Sequence, residues 1–376
     1  MPESPFSFDA LRRRPDVEAD NLFAVDASDR LILDEAAADV AAAGPRGMVV
    51  IGDHYGALTL GAIAVHGALD VRVHQDPLTG ERALALNAAD QGIESFTHHP
   101  LDASLLAGAR VVLAQLPRSL DALDEIAAAV ARHADPDVVF VGGGRLKHMS
   151  MAMNEVLAKH FGDVRASLGR QKSRVITARG PRAEEAGDAR AFPRREHHAD
   201  LDLTVCAHGA VFAGTKVDIG TRYLLSFLPE MRADAATAVD LGCGTGILAC
   251  VLARTNPRVA VLASDESAAA VASARATAEA NGIALTVERD VGLSKQPDGC
   301  ADLVLLNPPF HTGATVHSGL AGSLFEEAAR VLKPGGELWT VFNSHLAYRA
   351  ALTRTVGPTR QAGRNAKFTV TVSTRA

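Results

Sequence analysis

The sequence predicts an α/β protein made of two tandem doubly wound domains, the N-terminal one a degenerate copy of the other. Three observations carry this. From Val49 onward, short β-branched runs alternate with Ala/Leu-rich helical stretches, the rhythm of βαβ units around a parallel sheet. The rhythm lapses in a charged, Gly/Pro-punctuated stretch and restarts at Ala238. Two landmarks then recur at nearly the same spacing in both halves: Val50-Ile-Gly-Asp-His-Tyr-Gly-Ala-Leu58 with Val111-Val-Leu-Ala-Gln-Leu-Pro117, and Asp240-Leu-Gly-Cys-Gly-Thr-Gly-Ile-Leu248 with Leu303-Val-Leu-Leu-Asn-Pro-Pro309.

Taken in order, the residues before Val49 read as a polar lead-in. Strands are expected at Val49–Ile51, Val71–Val73, Val111–Leu113 and Val138–Val141, with helices between them. Gly180 to Arg190 lacks apolar periodicity and reads as the start of a linker running to about His198. The domains are therefore placed at 1–190 and 199–376. In the second, strands are expected at Ala238–Leu241, Val259–Leu262, Leu285–Val287, Leu303–Leu306 and Leu338–Val341. In the first, Val50 replaces the acid of the glycine motif, His54 replaces its middle glycine, and Gln-Leu-Pro-Arg replaces Asn-Pro-Pro-Phe.

Composition bounds the function classes. With 376 residues, 47% hydrophobic and 22% charged, each half can bury a core of its own. The four cysteines (Cys206, Cys243, Cys250, Cys300) form no CxxC pair, which argues against a disulfide framework or a metal site. No leader pattern and no long apolar run are visible, so a cytoplasmic, membrane-free protein is expected, acting as a monomer. A net charge of −6 excludes a general nucleic-acid coat but leaves room for a local basic surface.

The chemistry concentrates in the second half. In Asp240-Leu-Gly-Cys-Gly-Thr-Gly246, Gly242, Gly244 and Gly246 allow a tight turn and close ligand approach. The spacing is not that of a dinucleotide fingerprint. The preceding acid would repel a phosphate and suits a cationic end, such as the amino group of a methionine moiety. Asp265, ending the next strand, suits two vicinal ribose hydroxyls. Asp290, after the third strand, is expected to face an adenine. Asn307-Pro-Pro-Phe310 closes the fourth strand. Its two prolines fix an extended turn. Asn307 and the Pro308 carbonyl can then accept from one –NH2 group, while Phe310 stacks on a planar base or amide. Asn307, Pro308, Pro309 and Phe310 are the candidate catalytic residues. Asp240, Gly242, Gly244, Gly246, Asp265 and Asp290 are the candidate residues for S-adenosylmethionine. The leaving group is a sulfonium, so positioning can supply much of the catalysis without a strong base.

His311 and His317 bracket a Gly/Thr/Ser loop read as a lid; without a third ligand they make a poor metal site. Lys333-Pro-Gly-Gly336 reads as a structural turn. After Glu337 there is no acid, yet Arg349, Arg354, Arg360, Arg364, Lys367 and Arg375 follow. Between Arg165 and Glu196, nine cations face four acids. Both segments suggest phosphate-facing surfaces.

With these residues in place, the chain resembles the RsmC/RlmG family of ribosomal RNA guanine-N2 methyltransferases. Gly209-Ala-Val-Phe212, Asp218-Ile-Gly-Thr221 and Leu224-Leu225 resemble the segment that leads into that family's catalytic domain near the cofactor. Asp240 to Gly246, Asp265 and Asn307 to His311 follow in the family's order, and Arg364-Asn-Ala-Lys-Phe368 resembles its closing strand. In the first half, Gly52 to Leu58, Leu116-Pro-Arg118 and Gln171-Lys-Ser-Arg174 match, most closely on the RlmG side. The resemblance implies Rossmann-like, class I methyltransferase domains with only the second active. It further implies S-adenosylmethionine as cofactor, ribosomal RNA or a ribosomal subunit as partner, and a first domain that supports folding and grips RNA. The implied reaction is methyl transfer to the exocyclic N2 of a guanine. The alternatives are a protein-glutamine or DNA amino-methyltransferase, or a non-catalytic RNA-binding assembly factor.

Overall fold

The computed structural model describes residues 6–182, 191–308 and 314–376, with backbone alone over 314–320. Contacts divide the chain into two compact units, Met1–Ala191 and Phe192–Ala376.

In the first unit, helix α1 (Ala27–Ala43) leads into strand β1 (Met48–Ile51), α2 (Ala57–His66), β2 (Val71–His74), α3 (Leu78–Gln91), β3 (Phe96–His98) and α4 (Ala103–Leu106). Then come β4 (Val111–Gln115), α5 (Leu120–His133), β5 (Val139–Arg145), α6 (Met151–His160), β6 (Phe161–Ala166) and β7 (Ser173–Pro181). The sheet order is β3-β2-β1-β4-β5-β7-β6. Pairings are parallel up to β5 and antiparallel for β5–β7 and β6–β7. β1 is buried along its whole length, as a strand covered on both faces must be.

The second unit opens with β8 (Arg194–His198) and β9 (Leu203–Ala207), which pair antiparallel. The linker expected up to His198 therefore ends earlier: Arg194–His198 is a strand whose backbone groups are spent on β9. Next come α7 (Ile219–Leu225), β10 (Thr237–Leu241), α8 (Ile247–Thr255), β11 (Ala260–Asp265), α9 (Ala268–Ala280), β12 (Thr286–Arg289) and β13 (Ala301–Leu306). The unit closes with α10 (Ala314–Val331), β14 (Leu332–Asn343), α11 (Arg349–Thr355), β15 (Thr359–Arg364) and β16 (Phe368–Thr374). Its sheet order, β12-β11-β10-β13-β14-β16-β15, repeats that of the first unit strand for strand, with the same two antiparallel pairings at the end.

Alternation along β13 shows how the sheet is held. Leu303 and Leu305 enter one core cluster, with Ile247 and Trp339; Val304 and Leu306 enter another, with Phe325 and Leu338. Each fully buried Leu contributes roughly 1.5–3 kcal/mol. Trp339, wholly buried, keeps its indole N–H satisfied by donating to Glu337 Oε2 at 2.8 Å. Among the described residues, no helix is long and apolar enough to cross a membrane, and no cluster of three or more His, Cys, Asp or Glu could hold a metal.

Candidate active site

Parallel register sets which residues meet. Leu241 of β10 stands beside Leu306 of β13, and beside Ser264 of β11 on the other flank. One step further along, Gly242, Asn307 and Asp265 all emerge at the same carboxyl edge, with neighbouring strands about 4.8 Å apart.

The glycine loop is pinned from β11. The Gly242 and Cys243 N–H groups donate to the Ser264 carbonyl at 2.8 and 3.0 Å, and Gly244 N–H donates to Asp265 Oδ2 at 3.0 Å. The glycines do different work. Gly244 lies at φ +53°, and a side chain there would meet nothing within 4 Å, so the loop borders open space. At Gly246 a Cβ would come within 2.9 Å of Ala274 on α9, so this glycine serves helix packing. Asp265 Oδ1 accepts from Ser267 N–H at 3.0 Å, which ties the acid both to the loop and to the start of α9.

Asp240 is almost wholly buried. Its Oδ2 accepts from Ala249 N–H at 3.0 Å, in the first turn of α8, and its Oδ1 has no partner among the described residues. Burial pushes its carboxyl up to about 7, with the nearby Asp265 charge adding to the rise. A buried acceptor left open costs on the order of 1–3 kcal/mol. Open space over Gly242 and Gly244 beside such an acceptor fits the amino-bearing end of S-adenosylmethionine, reached directly or through a water.

Asp290 departs from expectation. Its carboxylate is buried and accepts from Val291 N–H (2.9 Å), Ser294 Oγ (2.6 Å) and Lys295 N–H (2.9 Å). Burial alone would raise this acid, but those bonds hold it below the ordinary carboxylate range. It orders its own loop rather than presenting an open face for an adenine. Asp290 N–H donates to the Asp265 carbonyl at 3.0 Å, which locks that loop to the ribose-side strand.

Asn307 is held by a helix cap. Asp218, the N-cap of α7, accepts from Gly220 and Thr221 N–H at 2.8 and 3.1 Å. The Asn307 amide nitrogen donates to the same Asp218 Oδ2 at 3.1 Å and to Thr221 Oγ1 at 3.0 Å. Two acceptors on one side fix which way the amide points. Its Oδ1 is left buried and without a partner among the described residues. Gly220 is required there, because a Cβ would crowd Asp218 Oδ2 at 2.9 Å and approach Asn307 Oδ1 at 3.5 Å. An ordered amide with one free acceptor can hold an –NH2 group by one N–H. Sequence reasoning noticed Asp218 to Thr221 but not this role; the Asp-x-x-Thr capping pattern before a helix was the available signal.

Pro308 is buried at the end of this strand. Pro309, Phe310 and His311 lie outside the described residues. The loop read as a lid is helical from Ala314, where α10 begins, and His317 stands within that helix.

The basic segments also resolve. Arg165 pairs with Asp163 at 2.9 Å, Arg179 with Asp39 at 3.0 Å and Arg170 with Asp34, so part of the 165–196 charge is met by carboxylates within the unit.

The Methyltransferase small domain family matches residues 202–372, and the RLMG N-terminal domain family matches residues 2–182. The ribosomal RNA large subunit methyltransferase G of Streptomyces avermitilis is 35% identical, over 98% of this chain and 97% of its own length. The protein of the same name from Pseudomonas aeruginosa strain UCBPP-PA14 is 34% identical over 98% and 97%. Among solved structures, the T. thermophilus 16S rRNA N2 G1207 methyltransferase (RsmC), in complex with AdoMet and guanosine, superimposes with a TM-score of 0.72. It is 20% identical and covers 99% of this chain and all of that one, so it speaks for the fold, the class I methyltransferase fold in both units.

Proposed function

This chain belongs to the ribosomal RNA large subunit methyltransferase G family, and on that premise we propose that it transfers a methyl group from S-adenosylmethionine to the exocyclic N2 of a guanine in ribosomal RNA of the large subunit. The single observation that carries the reading is Asn307. Its amide is oriented by Asp218 and Thr221, and its buried Oδ1 waits for a donor at the edge where the glycine loop opens.

S-adenosylmethionine, when bound, supplies an electrophilic methyl on a sulfonium. The rest of the work falls to the chain. Asp240 Oδ1 takes the amino end, directly or through a water. Gly242 and Gly244 leave room for the ligand, and Gly246 lets α8 pack on α9. Asp265 holds the ribose hydroxyls. Asp290 positions the adenine-side loop through its own hydrogen bonds. A guanine, unpaired or flipped out, presents its N2 to Asn307 Oδ1 and the Pro308 carbonyl, with Phe310 stacked on the ring. Accepting both N–H bonds turns the nitrogen lone pair toward the methyl. As the N–C bond forms, the electron pair of the breaking S–C bond stays on sulfur, and the nitrogen's extra proton is then lost to solvent water.

The first unit serves as folding support and RNA grip. The working form in this reading is a cytoplasmic monomer. The test is transfer of labelled methyl to RNA from a strain lacking the protein, followed by nucleoside mass analysis. N2-methylguanosine is expected. Label in protein or DNA would overturn the reading in favour of another amine.

A further inference from the structure

The six cations after Glu337 do not share one surface. β16 runs antiparallel to β14, pairing Phe368 with Asn343 and Thr374 with Glu337. Its start therefore lies at the carboxyl edge, where Asn307 emerges, and its end lies at the opposite edge. Arg364, the last residue of β15, and Lys367, in the turn that follows, stand at the Asn307 edge. Arg375, whose N–H donates to the Gly336 carbonyl at 2.8 Å, stands at the other.

The turn is built and tied to the site. Asn365 Oδ1 accepts from Lys367 and Phe368 N–H at 2.8 and 2.7 Å, and Asn365 N–H donates to the Phe368 carbonyl at 2.9 Å. Ser344 N–H, just past β14, donates to the Lys367 carbonyl at 2.9 Å. The Lys367 ammonium lies 5.3 Å from the centre of the Phe368 ring. A side chain on Gly220 would meet that ring at 3.3 Å and Asn307 Oδ1 at 3.5 Å. Gly220 thus lies between the Phe368 ring and the Asn307 amide, which places the turn close to the site. Arg364 and Lys367 are exposed, and neither pairs with a carboxylate among the described residues, unlike Arg170 and Arg179 in the first unit.

Two unneutralised cations on a rigid turn beside the amine-holding residue fit a backbone phosphate. We propose that the β15–β16 turn, through Arg364 and Lys367, grips the phosphodiester of RNA next to the target nucleotide and positions its base for Asn307. This rests on the RNA reading above.

The experiment follows RNA binding and methyl transfer by the full chain across a salt series, using protein-free large-subunit ribosomal RNA. Arg364→Ala/Lys367→Ala should raise Kd and KM for RNA about tenfold or more. It should flatten the salt dependence by about 0.7–0.9 in logarithmic slope per lost phosphate contact, and leave cofactor binding unchanged. Arg375→Ala, which removes a charge at the far edge, should leave the salt slope as it was. Unaltered melting would show that the turn still folds. Wild-type Kd and salt slope in the double variant would overturn the proposal, as would a fall in kcat alone. A wild-type chain that binds RNA without methylating it would overturn the function while the binding arm still tests the turn. A chain that binds no RNA would overturn both.

Discussion

The two units share one strand order, and their glycine loops share one backbone path. Gly52, His54 and Gly56 lie at φ +72°, +56° and +100°; Gly242, Gly244 and Gly246 lie at +73°, +53° and +75°. What differs is the fate of the acceptors. In the second unit Asp240 binds Ala249 N–H with one oxygen and keeps the other open. In the first, Val50 stands at that strand position, and Asp53, three residues later in the loop, takes over. It accepts from Leu58 and Thr59 N–H at 2.6 and 2.7 Å, spending both oxygens on the start of α2. Gln75 stands where the second unit has Asp265, and it donates to the Gly80 carbonyl at 3.0 Å.

The amide corner diverges in the same way. Asn307 and Gln115 hold corresponding places, and each faces the start of a helix. Asn307 donates to Asp218 and Thr221 and retains a buried oxygen that is open among the described residues. Gln115 donates to Ser28 Oγ at 3.1 Å and to Asp29 Oδ1, and it also accepts from Ser28 Oγ at 3.3 Å. In the first unit the groups at the corresponding places are spent on internal hydrogen bonds. The second still carries acceptors that cost stability until a ligand fills them, a pattern expected of a functional site.

The largest effect expected from breaking this comparison is at the amide. Asn307→Ala should lower kcat by at least about 10²–10³-fold, the scale of losing one preorganised group, with cofactor binding intact by calorimetry. Gln115→Ala should leave kcat alone and cost about 1–3 kcal/mol of stability in urea melts. A cofactor-binding defect in Asn307→Ala, with transfer preserved in the bound fraction, would invert the assignment. Next in size is the capping aspartate. Asp218→Ala should lose about 1 kcal/mol as a cap and also lower kcat more than it raises KM, because Asn307 is freed to rotate. Asp26→Ala, the matching cap of α1, should lose the stability alone.

A pH series sharpens the contrast at the buried acids. Asp240 titrates near 7 in the folded chain, well above its ordinary 3.8, so the folded state keeps a proton that the unfolded chain releases. Its contribution to stability is full below pH 4 and declines as pH rises toward 7, by an amount of order a few kcal/mol. Cofactor binding should strengthen as pH rises through 7, when the carboxylate can meet an ammonium. Asp240→Asn should flatten both profiles. Asp53, pushed up to about 6 by burial, should give a stability slope but no cofactor dependence. The smallest effect is at His54, whose positive φ costs about 1–2 kcal/mol. His54→Gly should raise the melting temperature slightly and create no second cofactor site, because Asp53 still closes the loop.

Much of this was legible in the sequence. Period and landmark spacing placed both sheets and the paired loops, because strand runs and left-handed glycines are local features. Other features depend on residues brought together only in space. Asp53 replaces Asp240 from another position in the loop, which a position-by-position comparison reads as simple loss. Asp218 reaches Asn307 across most of a domain. Arg179 finds Asp39 on a distant helix, so one member of a run of cations that looked bare in the sequence is paired. Asp290 looked like a ligand because its loop partners, Ser294 and Lys295, are ordinary residues until the chain curls around the carboxylate.

The most direct test of the central claim is a cofactor titration by calorimetry on the full chain, repeated with Gly244→Val and with Gly52→Val. One S-adenosylmethionine per chain, lost in the Gly244 variant and retained in the Gly52 variant, is the predicted result. Two sites per chain, or binding that survives at Gly244 and fails at Gly52, would contradict the account.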